Sequence, residues 1–491
     1  MEKSADRQDQ TEPLAALEQW DEAISEMRCE AVIAQARALL DQACVHLPFL
    51  RARSIDPVKR LDHLRANLPE TTSHFYHALL SIFAEIGDRH TQCFLPKPFA
   101  EKTAFLPFLV KEYFENGKQS LAVVGSGIDD LKRGDTLISW NGAPVAKALE
   151  QHMALQLGAN AEARLAKAVQ TLTFRPLAFM PPPEKDVMLE SISLDGRRRK
   201  TRLEWRVAEM SYLTRRFAPI FQMEKEENSF SNESFQARVV KTSFGAFGYI
   251  RVASFHARPD VFLKPFVETL ESLPEQGLIL DLRACEDGII PTAEQLLQLF
   301  TPSKIEPQSF QFRMTDLVEQ IINARPVLHE WRDAMESPAP SGERYSRWLP
   351  LTSSEKANAV GQKYHGPVVV IVDALTYSSA EMFAAGFQDH DIGRVLGTAR
   401  RTGGGGASPW HQSMIFNLSG NALFQPMPDA PMFRVAVRRC RRVRKQSNQY
   451  LESIGVVPDQ LYLPTRNDLL NSDAELLEKA GSMLAEKCDQ V

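Results

Sequence analysis

The sequence predicts a multidomain α/β protein. A helical N-terminal region leads into a β-rich middle module and then an α/β C-terminal domain built on a mostly parallel sheet. Three observations carry this prediction. Residues 243–491 alternate short apolar runs with helix-like segments, the order that covers a parallel sheet on both faces. Val368 to Val372 reads Val-Val-Val-Ile-Val, five β-branched residues with no polar face, as a doubly covered strand requires. Asn141-Gly142 stands between two apolar runs, a strong short-range signal for a β-hairpin.

Length and composition set the outer limits. A chain of 491 residues exceeds what one core organises, so two or three domains are expected. Its charged fraction of 24% and hydrophobic fraction of 44% are those of an ordinary soluble protein. A formal net charge of −5 provides no field that would draw nucleic acid or an anionic membrane. The cysteines (Cys29, Cys44, Cys93, Cys285, Cys440 and Cys488) are scattered without a CxxC pair, which argues against a zinc ribbon or redox dithiol. Residues 1–13 are polar, carry both signs of charge and lack the basic and apolar regions of a secretory signal; they read as a disordered tail. No apolar run approaches the ~20 residues of a membrane-spanning helix. The expectation is a soluble, cytoplasmic protein.

The elements follow in order. From Leu14 to Leu47, residues Leu17, Trp20, Ile24, Met27, Ala31, Ile33 and Leu39 recur at three- and four-residue steps. Helices are predicted at 57–67 and 71–86, the second capped by Thr71 or Thr72. Residues 14–103 thus form a helical region whose amphipathic faces pack on the rest of the chain or serve a homo-oligomer. Residues 104–207 contain two tight turns, Gly134-Asp135 and Asn141-Gly142, and read as a small β module. Residues 208–242 are polar and irregular, a linker. Strands are then predicted at 247–255, 277–283, 305–314 and 366–373, with helices at 260–273 and 291–301. Residues 325–362 read as an insertion, either a plain surface excursion or the wall of a cleft. The basic run from Arg434 to Lys445 reads as an edge strand protected by charge, or as a receiver for an acidic segment or chain-terminal carboxylate. Gly403 to Gly406 reads as a mobile loop, or as a place where a substrate backbone approaches closely.

Chemistry concentrates at Asp373-Ala-Leu-Thr-Tyr-Ser-Ser-Ala-Glu381. A serine in a sharp strand-to-helix turn presents its hydroxyl at the sheet edge, and the N–H groups of the helix's first turn face a developing oxyanion. Ser378 is the candidate nucleophile and Ser379 its rival. A serine hydroxyl needs an adjacent base, a task that suits histidine, and a buried carboxylate orients that imidazole. His365, His390 and His411 are the histidines nearest Ser378 along the chain.

Four separated segments extend this reading. Ile86-Gly-Asp-Arg-His-Thr91 resembles an Asp-x-His-Thr segment. Gly277-Leu-Ile-Leu-Asp-Leu-Arg-Ala-Cys-Glu-Asp-Gly288 resembles a Leu-Asp-Leu-Arg-x-Asn-x-Gly-Gly strand and turn. Thr376-Tyr-Ser-Ser-Ala-Glu381 resembles a nucleophile turn, and Leu451-Glu-Ser-Ile-Gly-Val-Val-Pro-Asp459 a Glu-x-x-Gly-Val-x-Pro-Asp close. Together, over about residues 55–485, they resemble the tail-specific (carboxyl-terminal-processing) serine proteases, including their tricorn-core-like branch. Gly134-Asp135 with Asn141-Gly-Ala-Pro-Val145 resembles the core of a PDZ-like module, which takes an extended peptide as an added strand.

The resemblance implies a crotonase/ClpP-like catalytic domain and peptide-bond hydrolysis through an acyl-enzyme, with a polypeptide substrate and no metal or cofactor. Many members of the family pair serine with a lysine in a Thr-x-Gly-Lys-Gly turn. Here Gly397-Thr-Ala-Arg-Arg-Thr-Gly-Gly-Gly-Gly406 has glycine at that position, and no lysine occurs between Lys363 and Lys445. The tricorn-like branch uses serine, histidine and glutamate, which fall on Ser378, His90 and Glu452. By the same resemblance, the oxyanion donors are the backbone N–H groups of Gly288 and Ser379. One departure stands out: the family's Gly-Gly is Asp287-Gly288, preceded by Glu286. Two other readings stay open, a catalytically silent relative that binds peptide or apolar ligand, and an esterase-type acyl hydrolase.

Overall fold

Val368–Val372 is buried along its whole length, inside a seven-stranded sheet that organises the C-terminal half. The computed structural model describes residues 11–14, 23–179, 181–216, 230–332, 342, 344–452 and 454–488. Strand order across the sheet is Phe230–Ser231, Phe235–Thr242, Gly245–Val252, Leu278–Asp281, Val368–Val372, Arg394–Gly397 and Gln460–Leu461. The first three strands pair antiparallel and the remainder parallel, with Leu278 opposite Val368 and Val370 opposite Val395. Alternation divides the central strand between two cores. Val369 and Ile371 pack with Ile279, Leu476 and Leu484 under the C-terminal helix Ala474–Cys488. Val368, Val370 and Val372 join the main core with Leu296, Phe383 and Phe387. Both faces are covered, which is why the run needs no polar residue.

The predicted strand at 305–314 is real but belongs elsewhere. Ser309–Phe312 lies in a second, five-stranded sheet, antiparallel to Met432–Arg441. The predicted edge strand is also corrected, because Met432–Arg441 is internal. It pairs with Ser309–Phe312 and Gln92–Phe94 at its two ends along one side, and with Ser408–His411 along the other. Its arginines are tolerated there because aromatic faces and acceptors receive them. Arg438 lies 5.1 Å from the Phe312 ring centroid, Arg439 4.1 Å from Tyr345, and Arg441 4.7 Å from Trp348. Each such contact contributes about 0.5–2 kcal/mol, more as water is excluded. The pairing of Gln92 with Arg434 and Cys93 with Phe433 carries the N-terminal region onto the C-terminal half.

That N-terminal region consists of helices Glu26–Ala43, Leu47–Ala52, Pro57–Ala66 and Thr72–Ile86. Thr71 caps the last by accepting from His74 N–H, and Gly87, at φ 70°, ends it. The middle module holds a six-stranded sheet, with Arg198–Glu204, Asp186–Ile192, Thr136–Trp140, Lys118–Ser126 and Phe108–Glu115 in order, and Ala143–Pro144 paired to Thr136–Trp140. Asn141 and Gly142 have φ of 50° and 78°, the positive pair a type I′ hairpin requires. Helices Val145–Met153 and Ala161–Gln170 flank this sheet in sequence.

The sequence-based boundaries shift at three points. Glu12–Pro13, placed in the tail, pairs with Arg206 and Val207; residues 1–10 lie outside the described residues, as do Leu17 and Trp20. The proposed linker 208–242 contains helix Met210–Arg216 and strands Phe230–Ser231 and Phe235–Thr242, while 217–229 lies outside. The insertion 325–362 contributes Leu349–Pro350 to the second sheet. Among the described residues no helix is long and apolar enough to cross a membrane.

Candidate active site

Asp373, at the end of the central strand, builds the turn that follows. Its Oδ1 accepts the N–H groups of Leu375 (3.0 Å) and Thr376 (2.8 Å), and Ala284 N–H donates to it from the neighbouring strand's turn. Thr376 Oγ1 donates to the Leu282 carbonyl at 2.9 Å. With both flanks pinned, Ser378 adopts φ 56° and ψ −127°, and helix Ser379–Asp389 starts at the next residue. Such a backbone costs a non-glycine residue about 1–3 kcal/mol and persists only where its surroundings over-determine it.

His90 reaches this turn from the opposite end of the chain. After Gly87, Asp88 Oδ1 accepts His90 N–H at 2.9 Å and Oδ2 accepts Thr91 Oγ1–H at 2.8 Å. This tight loop feeds the Gln92–Phe94 strand. The His90 ring is 1% exposed, and its Nε2 lies 3.2 Å from Ser378 Oγ. Burial lowers the imidazole pKa. Asp88 and Asp287 act against that shift, and Arg434 and Arg89 reinforce it. The ring is therefore neutral at neutral pH, the state in which a base accepts a proton.

Glu452 is also close to Asp88's charge, but the structure does not bring it to His90. One carboxylate oxygen accepts Cys440 N–H, and Oε2 is buried without a hydrogen-bond partner. Among the described residues it makes no hydrogen bond or ion pair with His90. Burial, with Asp88 adding, raises its carboxyl pKa to about 8. Ser379 is the first residue of its helix, where an N–H has no intrahelical acceptor. Gly288 lies beside Phe255, and a Cβ there would meet Phe255 Cβ at 2.3 Å, so only glycine fits. Its N–H donates to Asp287 Oδ1 at 3.2 Å.

The acidic departure at 286 has a structural answer. Arg89 donates to Glu286 Oε2, and Lys167 approaches Oε1 at 3.3 Å. Burial alone would raise this carboxyl's pKa; the two cations hold it below its ordinary value. Among the described residues, none of the rival histidines hydrogen-bonds Ser378. His390 Nε2 accepts Glu306 N–H at 2.9 Å and Nδ1 donates to the Gly386 carbonyl at 2.8 Å; His365 and His411 are exposed.

Two contributors escaped the sequence. Tyr377 Oη donates to Asp88 Oδ1 at 3.0 Å and lies 3.4 Å from His90 Nδ1. Asp88 belongs to the Asp-Arg-His-Thr segment and Tyr377 adjoins the nucleophile, so proximity along the chain was the only available signal. The run Gly403–Gly406, expected to be mobile, is buried. Gly404 and Gly405 N–H donate to Glu381 at 2.7 and 2.6 Å, and a Cβ at Gly403 or Gly405 would overlap the Tyr377 ring. A cavity of about 830 Å³ adjoins the turn, walled by Arg89, Lys111, Lys167, Arg251, Glu286 and Leu375, among others.

Comparison with known proteins decides the class. Residues 246–461 match the model of peptidase family S41, and residues 102–216 match that of a PDZ domain. The chain carries a peptidase family S41 segment. It is a serine-type peptidase with a PDZ domain preceding its S41 segment. That S41 segment holds Ser378, Gly288 and Glu452, whereas His90 lies outside it. No curated protein matches the chain in sequence. Among solved structures, that of mature CPAF complexed with lactacystin aligns with a TM-score of 0.69 and 17% identity, over 94% of this chain and all of that one. A second structure of mature CPAF aligns at 0.69 with 16% identity, over 94% of this chain and 98% of the other. The chain therefore shares its α/β multidomain fold with CPAF across nearly its whole length.

Proposed function

We propose that this S41 peptidase hydrolyses peptide bonds through an acyl-enzyme, with Ser378 as nucleophile, His90 as base and then acid, and Glu452 as the carboxylate of the triad. The observation that carries the reading is the 3.2 Å approach of His90 Nε2 to Ser378 Oγ, both buried, at a strained turn. Ser378 Oγ adds to the substrate carbonyl carbon as its proton passes to Nε2. The resulting oxyanion faces the N–H groups of Ser379 and Gly288, each such donor being worth about 10²–10³ in rate. His90 returns the proton to the amine nitrogen, the C–N bond breaks, and an ester on Ser378 remains. Water then attacks that ester with His90 again as base, releasing the acid and restoring the serine.

The support for Glu452 is its buried, unpartnered Oε2. With its carboxyl pKa raised to about 8, it holds a proton in the resting enzyme at neutral pH. The substrate chain occupies the cavity beside the Ser378 turn, which residues of the PDZ domain help to wall.

Digestion of a denatured polypeptide library, read by mass spectrometry for new termini, tests this function. The wild type should generate termini, and His90→Ala should lose about 10²–10⁴ in rate, the usual contribution of a general base. Glu452→Gln should slow cleavage at least about tenfold. Turnover of esters without any new peptide termini would replace this reading with an esterase.

A further inference from the structure

Tyr377 Oη lies between two groups that the triad leaves unconnected, Asp88 and the Nδ1 edge of His90. Asp88 Oδ1 itself is 3.8 Å from Nδ1, too long for a hydrogen bond. We infer that Tyr377 and Asp88 are positioning residues for His90, joined in one chain of hydrogen bonds from Ser378 Oγ–H to Nε2, from Nδ1–H to Tyr377 Oη, and from Oη–H to Asp88. This inference rests on His90 being the base.

Counting hydrogens gives the chain its direction. Asp88 stays below its ordinary pKa despite its burial, and His90 N–H, Thr91 Oγ1–H and Tyr377 Oη–H all donate to it, so it can only accept. The single hydrogen of Tyr377 goes to Asp88, which leaves Oη with lone pairs facing Nδ1. A hydrogen must then sit on Nδ1, and the Nε2 lone pair faces Ser378 Oγ–H. In the opposite tautomer, Nδ1 and Oη would face each other with no hydrogen between them, and Nε2–H would oppose the serine.

Neither residue is free to swing. Asp88 also accepts His90 N–H and Thr91 Oγ1–H. The Arg89 guanidinium lies 4.5 Å from the Tyr377 ring centroid. Across the ring, Gly405 is so close that a Cβ there would lie 1.8 Å from Tyr377 Cζ. Glu381 holds the glycine run in this position through Gly404 and Gly405 N–H. The charged and titratable groups facing His90 are Asp88, Asp287, Arg89 and Arg434, with His46 facing Asp88 from behind. Changing Tyr377 to Phe takes one hydrogen bond from Asp88, keeps the ring under Arg89, and leaves Asp287, Arg434 and His46 untouched.

Tyr377→Phe, compared with wild type in peptide hydrolysis across pH and in 15N NMR of labelled histidines, is the test. Losing Oη removes the acceptor that steadies the imidazolium, so kcat should fall about 10- to 100-fold with KM within about twofold. The acidic limb of kcat/KM should move to lower pH, because His90 becomes a weaker base. The His90 signals should be those of the Nδ1–H tautomer in wild type and lose that pure character in the variant. Asp88→Asn should move the limb further the same way, and the double variant should be no slower than Asp88→Asn alone. A Tyr377→Phe enzyme with unchanged limb and unchanged tautomer overturns the chain while leaving Ser378 and His90 as nucleophile and base. A wild type that never acylates would overturn that reading instead, and the tautomer would still report on Tyr377.

Discussion

Arg89 and Glu286 are ion-paired across the joint between the histidine loop and the turn that ends in Gly288. The pair shows how a carboxylate is accommodated beside the proposed oxyanion site. Lys167, from a helix of the PDZ domain, shares the same carboxylate. Arg89→Met should therefore leave a partly uncompensated negative charge near the developing oxyanion. The expected cost is about tenfold in kcat/KM, or ~1.4 kcal/mol. Adding Glu286→Gln should recover most of it in steady-state assays, and a double variant as slow as Arg89→Met would show that the charge is not the cause.

Asp287 bears on the same site more directly, because its Oδ1 occupies the Gly288 N–H proposed as an oxyanion donor. A substrate must displace that carboxylate before the N–H can serve. Asp287→Ala is expected to raise kcat by about three- to tenfold, a small part of the 10²–10³ that one donor is worth. Unchanged or lower kcat, with the fold intact by circular dichroism, would remove Gly288 from the oxyanion site.

Buried carboxyls also predict how stability depends on pH. Burial raises the Glu294 pKa to about 7. In the unfolded chain a glutamate titrates near ~4.3, so the folded state holds this proton more tightly. Its contribution is complete below the unfolded value and is lost as pH rises through about 7. Glu294→Gln should flatten the fall in urea midpoint between about pH 5 and pH 8. Parallel falls in variant and wild type would contradict this.

Legibility followed how local each signal is. Five β-branched residues, a Thr71 cap and an Asn141-Gly142 turn each lie in a few contiguous positions, so the sequence revealed them. Ser378 and His90 were visible because short motifs surround each one. Partnership was less visible. Ser309–Phe312 has the same apolar character as the strands of the main sheet, and only tertiary pairing sends it to the other one. The arginines of Met432–Arg441 suggest an exposed edge until Tyr345, Trp348 and Phe312 are seen to cover them. Tyr377 and Asp88 meet across 289 positions, a contact no local pattern encodes.

Arg442 shows that part of this basic run is structural. It donates to the buried Asp389 at 2.6 Å and to the Ala385 carbonyl, tying the strand's end to the nucleophile helix. Arg442→Met leaves Asp389 buried and unpaired, at a cost of about 3–5 kcal/mol. Asp389→Asn in the same chain should restore part of that stability. Selectivity between acidic and neutral peptides should be unchanged in the folded double variant; a shift in selectivity would return Arg442 to a substrate-binding role.

The most direct measurement is intact-mass analysis after exposure to a fluorophosphonate, which reports whether a serine has been made nucleophilic. Wild type should gain one adduct, mapped to the peptide containing Ser378. Ser378→Ala should gain none, and His90→Ala should label far more slowly. A folded wild type that stays unmodified, or an adduct that persists in Ser378→Ala, would contradict the account.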